Sequence, residues 1–394
     1  MGRGFCQQCF TEMGCVVMKK INIVIGANYG DEGKGLFTNY ITPKEGVVVL
    51  TNGGPQRGHT VVYEGKRHVF HHFGSATLKG AATYASSEFI VNPIKFREEF
   101  VELGNKPLLY VGYECRLTTP FDCLANIVRE KLRGKGTRRG ISNRSTGCGI
   151  KETIDRYNDK NFHFKRVSDL YGNKDIWVEE LLKIKEYYKE LEWIKNSDYE
   201  ESKLIKEDNF IINNFLKDLD FFFNNIAIKS MKEIYNEYDN ITFEQGQGLG
   251  LDKEYDKVNG TPTRTGSIIP EWLLYMADAQ KTEHEIHRYY ITRTYLSRHG
   301  DGVLENEDID LDYEDQTNKP NLYQGCIRFA KFDDESIQNM MERIDSDIID
   351  SNLYAKNYLV VTHCNEEELP SEKIKNKNFT QIFRFYDEVN CINN

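Results

Sequence analysis

The sequence predicts an α/β fold of P-loop-like type, a central and mostly parallel sheet flanked by helices, with a helical insertion. Three observations predict it. Residues 21–36, INIVIGANYGDEGKGL, run from a β-branched apolar stretch (Ile21, Ile23, Val24, Ile25) that reads as a buried strand into a turn crowded by Gly26, Gly30, Gly33 and Gly35. Further short apolar runs at 47–50, 241–243 and 358–361 read as strands, each followed by a polar or glycine-containing turn. Between 174 and 238 the period changes, with Trp177, Leu181, Ile184 and Tyr188 at helical spacing and Glu and Lys between them.

The first strand and its turn carry the chemistry. A strand entering a glycine-rich turn gathers backbone N–H groups at one point, where they and the next helix N-terminus can cradle phosphate oxygens, and Lys34 supplies positive charge. The spacing differs from an ordinary P-loop: Asn28 stands six residues before the lysine in place of glycine, and Gly35 replaces the Ser or Thr that would hold magnesium. Asp31 and Glu32 sit inside the loop. A carboxylate beside polyphosphate is repelled unless it meets a cation or has a proton to take, so Asp31 is expected to be a magnesium ligand, a general base, or both in turn. The competing reading is a glycine-rich surface turn with a solvated acidic pair; four glycines, a lysine and a preceding strand argue against it.

The next strand leads into TNGGPQRGHTVVYEGKRHVFHH, residues 51–72, where alternation after Thr60 reads as two strands joined by a hairpin at Glu64 and Gly65. His59, on a glycine loop, is the candidate acid or hydrogen-bond donor to a transferring phosphoryl group. His71 and His72 lie in a strand-like run and read as structural. Residues 129–151 concentrate Arg129, Lys131, Arg133, Lys135, Arg138, Arg139, Arg144 and Lys151 beside a glycine-containing turn, a place to focus an anionic substrate. Trp177, Trp193 and Phe221, Phe222 and Phe223 read as core or interface. The strand at 241–243 is expected to end in a turn at Gly246, Gln247 and Gly248, and the acidic run from Glu305 to Asp315 to be a solvated surface segment.

Composition bounds the rest. The 394 residues, 39% hydrophobic, suffice for one elaborated α/β domain, assigned to 18–394 with a helical subdomain at about 151–240. A formal net charge of -10 argues against a general nucleic-acid binder, and no segment is long and apolar enough for a membrane span. Nine cysteines without a framework spacing fit free thiols in a reducing cytoplasm. Residues 1–17 precede Met18 and a basic pair, carry a lone CxxC at Cys6 and Cys9, and are expected to be a disordered extension.

GDEGKG at 30–35 followed by NGGPQRGHT at 52–60 resembles adenylosuccinate synthetase, the ligase that joins aspartate to the 6-position of a purine nucleotide. STGCGI at 145–150, FEQGQGLGLD at 243–252, TPTRTGS at 261–267 and ITR at 291–293 continue the resemblance in order. It implies catalytic roles for Asp31, Lys34 and His59, and Mg²⁺ held by Asp31 and Gly58. It implies a triphosphate site of Asn28, Gly30, Glu32, Gly33, Lys34, Gly35, Gly58, His59, Thr60, His363 and Asn365. The monophosphate site would be Asp31, Gln56, Ser145, Thr146, Gly147, Gln247 and Thr265, and the aspartate site Arg293, Gln324, Gly325 and Arg328. The implied partners are IMP, L-aspartate and a nucleoside triphosphate, in a cytoplasmic homodimer.

The chain also departs from the family pattern. Cys148 stands where the family usually carries arginine, and in residues 321–333 only Arg328 clearly matches the aspartate-clamping loop. In THCN at 362–365, Asn365 replaces the aspartate that reads guanine; an amide both donates and accepts, which admits ATP or dATP beside GTP. This pattern resembles the short viral and archaeal branch of the family, including phage enzymes that act on dGMP, whereas retention of Asp31 points back to IMP. A catalytically dead nucleotide sensor is the reading from another class.

Overall fold

The structure is a computed structural model that describes residues 18–104, 106–133, 145–207, 210–255, 261–300, 302–308, 310–311, 313, 315, 318, 325–369, 374, 379–386 and 391–393. The expectations for residues 1–17, Cys6 and Cys9 among them, and for Lys135, Arg138, Arg139, Arg144 and Gln324 lie outside the described residues.

In chain order the first strands are β1 (Lys19–Gly26), β2 (Val47–Leu50), β3 (His59–Tyr63), β4 (Lys66–Phe70), β5 (Ala82–Ala85), β6 (Ile90–Val91), β7 (Leu109–Val111) and β8 (Arg116–Leu117). There follow β9 (Ala227–Ile228), β10 (Asn240–Gly248), β11 (His284–Arg293), β12 (Leu296–His299), β13 (Ile327–Ala330), β14 (Lys356–Thr362), β15 (Gln381–Phe385) and β16 (Cys391–Asn393). Ten of them form one sheet in the order β16-β15-β14-β11-β1-β10-β2-β5-β7-β9, parallel at every pairing except β15 with β16. The fold is thus α/β with a large, mostly parallel sheet flanked by helices, as the sequence predicts.

β1 lies at the centre because both of its faces are apolar, the mark of a parallel strand covered on two sides. Ile21, Ile23 and Ile25 pack with Val47, Val49, Ile241, Phe243 and Leu359 on one face. Val24 packs with Phe37, Tyr289, Ile291 and Val360 on the other. A third core joins Val48 and Leu50 to the helices of the insertion, where Trp177, Phe222 and Phe223 are buried and Trp193 and Phe221 pack against them. The insertion contains helices Ile150–Asn158, Trp177–Glu190, Glu200–Glu207, Phe210–Asn224 and Met231–Glu237, and between the last two the chain adds β9 to the sheet beside β7.

The hairpin between β3 and β4 turns at Glu64 and Gly65, whose φ values of 49° and 74° are the left-handed pair such a two-residue turn requires. His72 is structural: its Nε2 accepts from the Asn92 N–H at 2.9 Å, and burial pushes its imidazole down to about 3. Two expectations are corrected. β10 does not turn at Gly246 but runs on to Gly248, because the Gly246 N–H is met by the Asn52 side chain at 2.7 Å and the strand remains paired with β1 at Gly26. The acidic run is not merely solvated surface: Glu305, Glu307 and Asp315 each hold an arginine.

The insertion is tied to the rest through Asp122, in the helix Pro120–Leu132. Its buried carboxylate accepts from Arg156 Nε at 2.9 Å and from the Tyr188 hydroxyl at 2.6 Å, and caps its own helix through the Thr119 N–H. Removing one partner of a buried pair strands the other charge, at a cost of about 3–5 kcal/mol. Asp122→Ala is therefore expected to lower the unfolding free energy by about 3 kcal/mol or more in urea titration; a loss below about 1 kcal/mol would show that Arg156 finds other compensation.

Candidate functional site

Parallel strands deliver their carboxyl ends to one edge, and the predicted residues gather there. β1 ends in the glycine loop, β10 in Glu244 to Gly248, β11 in Arg293, and β14 in Thr362 and His363. The helix Lys34–Ile41 begins at Gly33 with no side-chain cap on its N-terminus, which leaves its first N–H groups for another acceptor.

Within the loop, Glu32 has a place of its own. Its Oε1 accepts from the Asn28 and Gly30 N–H groups at 3.2 and 2.8 Å, and its Oε2 pairs with Lys34 Nζ at 2.6 Å. Burial works against this carboxylate's charge, but Lys34 and the backbone donors outweigh it and hold its pKa below the usual range. Lys34 thus carries an internal counter-ion, a pairing absent from the sequence reading. Thr362 closes the other side by donating to the Glu32 carbonyl at 2.8 Å.

Asp31 is the strained residue of the loop, a non-glycine at φ 61°. It keeps partial exposure, while Arg293 Nε holds its carbonyl at 2.6 Å. Crowding by protein pushes its carboxyl pKa up, against the pull of Arg293, His299 and Lys34. A carboxyl in that condition is better matched to proton abstraction than a solvated one.

His59 opens β3 opposite the loop. Its Nδ1 lies 2.9 Å from Glu244 Oε1, and its buried Nε2 has no hydrogen-bond partner among the described residues. Glu244 also takes Arg57 Nη2 at 2.9 Å and the Ser75 hydroxyl. Burial opposes the Glu244 charge, yet Arg57 and His59 hold its pKa far below the ordinary carboxylate range. Gly35 is glycine because of this hairpin: a Cβ there would lie 2.9 Å from His59 Cβ and 3.2 Å from the Thr60 carbonyl, so no serine or threonine fits.

The other predicted residues are less uniformly free. Asn28 is a latch, donating to Thr292 Oγ1 and accepting from Arg343 Nη2, both at 2.9 Å. Gln247 is tied to the Thr263 carbonyl and the Thr261 hydroxyl, and Thr265 donates to Gln245 Oε1 at 3.1 Å. Ser145 donates to Asn126 at 2.8 Å and accepts from the Gly147 N–H, which shapes the turn that also holds Thr146. Ile150, just beyond that turn, abuts Gly54 and brings it beside the loop that carries Gln56 and Gly58. Gly58 and Asn365 are exposed, Thr60 is half-buried, and burial pushes the His363 imidazole down to about 3. Gly325 is exposed with open space about it, and Arg328 is engaged with the Gly300 and Gly302 carbonyls and Glu307.

Glu244, Arg343, Glu307 and Asp315 were missed as site residues. Glu244 had a signal, an acid closing an apolar strand, whose burial demands a cationic partner. The others meet partners too remote in sequence to be inferred from spacing.

Burial holds His59 down to about 4, although Glu244 pulls the other way. A histidine depressed in the folded state stabilises fully above its unfolded value near 6.5, and that stability is lost as pH falls toward the folded value. Between pH 7 and 5 its share is about 2 kcal/mol. Urea unfolding at pH 7 and pH 5 should show a stability loss smaller by this amount in His59→Asn; equal losses in the two proteins would mean that His59 does not titrate on unfolding.

A family model described as adenylosuccinate synthetase matches residues 23–321. The adenylosuccinate synthetase of Shewanella woodyi is 29% identical over 197 residues, covering 47% of this chain and 43% of the relative. That of Wigglesworthia glossinidia brevipalpis is 29% identical over 264 residues, covering 64% and 58%. The chain spans about half the length of the curated relatives it matches. Among solved structures, the fully ligated adenylosuccinate synthetase of Plasmodium falciparum has a TM-score of 0.65 at 16% identity, covering 88% of this chain and 77% of its own. The cyanophage S-2L succinoaminodeoxyadenylate synthetase bound to dGMP and dATP has a TM-score of 0.62 at 13% identity and covers 95% of both chains. These two likenesses establish a shared fold; the family match, over about three quarters of the sequence, establishes that the chain belongs to the adenylosuccinate synthetase family.

Proposed function

We propose that the protein is a carbon–nitrogen ligase of purine nucleotide biosynthesis that condenses L-aspartate with a 6-oxopurine nucleoside monophosphate, IMP first, at the expense of a nucleoside triphosphate. The observation that carries this is Asp31: strained, partly exposed, its carboxyl pKa raised by burial, and three residues from Lys34 at the start of an uncapped helix.

In the first step Asp31 takes the N1 proton of the purine, and the 6-oxygen attacks the γ-phosphoryl group as the nucleoside diphosphate leaves. Lys34, the free N–H groups of the helix start and His59 stabilise the charge that moves. With Nδ1 turned to Glu244, the buried Nε2 of His59 is left without a partner among the described residues, which suits it to serve the ligand. Polyphosphate charge favours its protonation, so that Nε2–H donates to the transferring group. In the second step the aspartate amine attacks C6 and gives up one proton to the phosphate, which departs with the former 6-oxygen, and the product is a succinylamino purine nucleotide.

Mg²⁺ fits the donor set: Asp31 offers one partly exposed carboxylate and Gly58 an exposed backbone. Mg²⁺ is commonly held by one or two carboxylates together with substrate phosphates. Asp31 and the exposed Gly58 would hold it, and it would neutralise charge on the β- and γ-phosphates. No helix among the described residues is long and apolar enough to cross a membrane. The reading carries with it a cytoplasmic homodimer.

A second reading, dGMP with ATP or dATP, is favoured by Asn365, exposed just after β14. Adenine presents an acceptor and a donor that an amide can match, whereas guanine's paired N1–H and 2-amino donors suit a carboxylate. Incubating the protein with IMP or dGMP, aspartate, Mg²⁺ and each triphosphate separates the readings, and binding without phosphate release would favour a sensor.

Asp31→Asn is expected to abolish turnover while nucleotide affinity stays within a few-fold, since the amide keeps the shape but cannot take the proton. Parent-like turnover would remove Asp31 from the base role. ATP or dATP should serve at least as well as GTP, and Asn365→Asp should move the preference toward GTP by roughly tenfold, the worth of one paired contact. A strong GTP preference that this substitution leaves unchanged would sink the base-reading role of Asn365.

A further inference from the structure

Three arginines, Arg293 at the end of β11, Arg328 on β13 and Arg343 in the helix Asp334–Asp350, are each held by an acid from one short segment. Arg343 Nη1 lies 3.2 Å from Glu305, Arg328 Nη1 lies 2.5 Å from Glu307, and Arg293 Nη2 lies 3.3 Å from Asp315. The last pair is nearly out of water, with the two side chains 7% and 10% exposed. Tyr313 fastens the segment by stacking flat on Tyr295, ring centroids 3.8 Å apart. His299 feels the fields of Asp31, Asp315 and Arg328 at once, which places the candidate base, one acid of the segment and one of these arginines around a single imidazole.

Arg293 and Arg328 are the arginines assigned above to the amino-acid substrate, so this inference rests on that reading. We propose that Asp315 and Glu307 are internal stand-ins for the two carboxylates of a dicarboxylic amino acid. They hold Arg293 and Arg328 until the substrate displaces them, and so set its apparent affinity. A buried guanidinium without a counter-ion is costly, so an empty site needs carboxylates of its own. The Arg293 fork shows how exchange can proceed: Nε stays on the Asp31 carbonyl and Nη1 on the Tyr295 hydroxyl at 3.0 Å, while Nη2 passes from Asp315 to the incoming carboxylate.

Affinity is then reduced by the fraction of time the internal acids occupy the arginines. A dicarboxylic substrate replaces both acids. A monocarboxylic amino acid replaces one and leaves the other arginine with its internal partner, so the device also selects for aspartate-like substrates. Glu305 belongs to a different task, since Arg343 is bound to the loop through Asn28 and, among the described residues, hydrogen-bonds to none of those assigned to the amino-acid substrate.

The test is steady-state kinetics at saturating nucleotide with L-aspartate varied, in the parent, Asp315→Asn, Glu307→Gln and Glu305→Gln. Calorimetric titration of L-aspartate into the nucleotide-loaded proteins reads binding separately, and thermal melts verify folding. Asp315→Asn and Glu307→Gln are each expected to lower the KM and Kd for L-aspartate by about 3- to 10-fold with kcat within about twofold, and Glu305→Gln to leave both constants unchanged. Binding that is equal or weaker in both variants, or in Glu307→Gln alone should Asp315→Asn not fold, overturns the proposal. A parent with no turnover defeats the ligase reading, whereas tighter L-aspartate binding by the variants would still uphold the stand-in role.

Discussion

One carboxylate holds the site together. Glu32 gathers the Asn28 and Gly30 N–H groups, pairs with Lys34 and, through its own carbonyl, receives Thr362, so a single residue fixes the exit of β1, the start of the following helix and the end of β14. Its surroundings are cut to admit it. A Cβ on Gly26 would lie 2.5 Å from Glu32 Oε2, and one on Gly248 would collide with Oε1. The glycines that read from sequence as freedom for a phosphate also make room for an internal anion. Because that anion already pairs with Lys34, the lysine is buried and fixed in place before any nucleotide arrives, a form of preorganisation.

The same arrangement recurs at four buried arginines. Arg57 is matched by Glu244, Arg156 by Asp122, Arg293 by Asp315 and Arg343 by Glu305. These acids are not interchangeable with the surface surplus that makes the chain acidic, since a buried charge stripped of its partner costs several kcal/mol. Each pair joins segments distant in the chain, so the electrostatics fix which loop faces which, a task the non-directional packing of β1 against its neighbours cannot perform.

How much of this was legible follows from how local each signal was. The apolar run of β1, the Glu64–Gly65 turn and the burial of Trp177, Phe222 and Phe223 are written in neighbouring residues, and the structure reproduces them. Asp31 and His59 were legible because a charge or an imidazole on a glycine loop has few structural uses. The partner of His59 was not: Glu244 lies 185 residues away, and nothing in the spacing joins them until β10 is set beside β1 and β2. The acidic run was misjudged for a related reason. Charge density alone resembles a solvated face, and only folding brings Arg293, Arg328 and Arg343 to meet it.

The central place of β1 has a consequence for how the protein is made. Its two neighbours, β10 and β11, begin at Asn240 and His284, so the central strand of the sheet emerges from the ribosome long before either partner exists. At a synthesis rate of about 5–20 residues per second that interval lasts roughly 10–40 s, with both edges of an unpaired apolar strand exposed. The sheet cannot close around its centre until well over half of the chain has been translated. The nascent amino-terminal third therefore depends on binding partners of the folding machinery, or on the short local hairpin of β3 and β4, to keep β1 from pairing with strands of other chains.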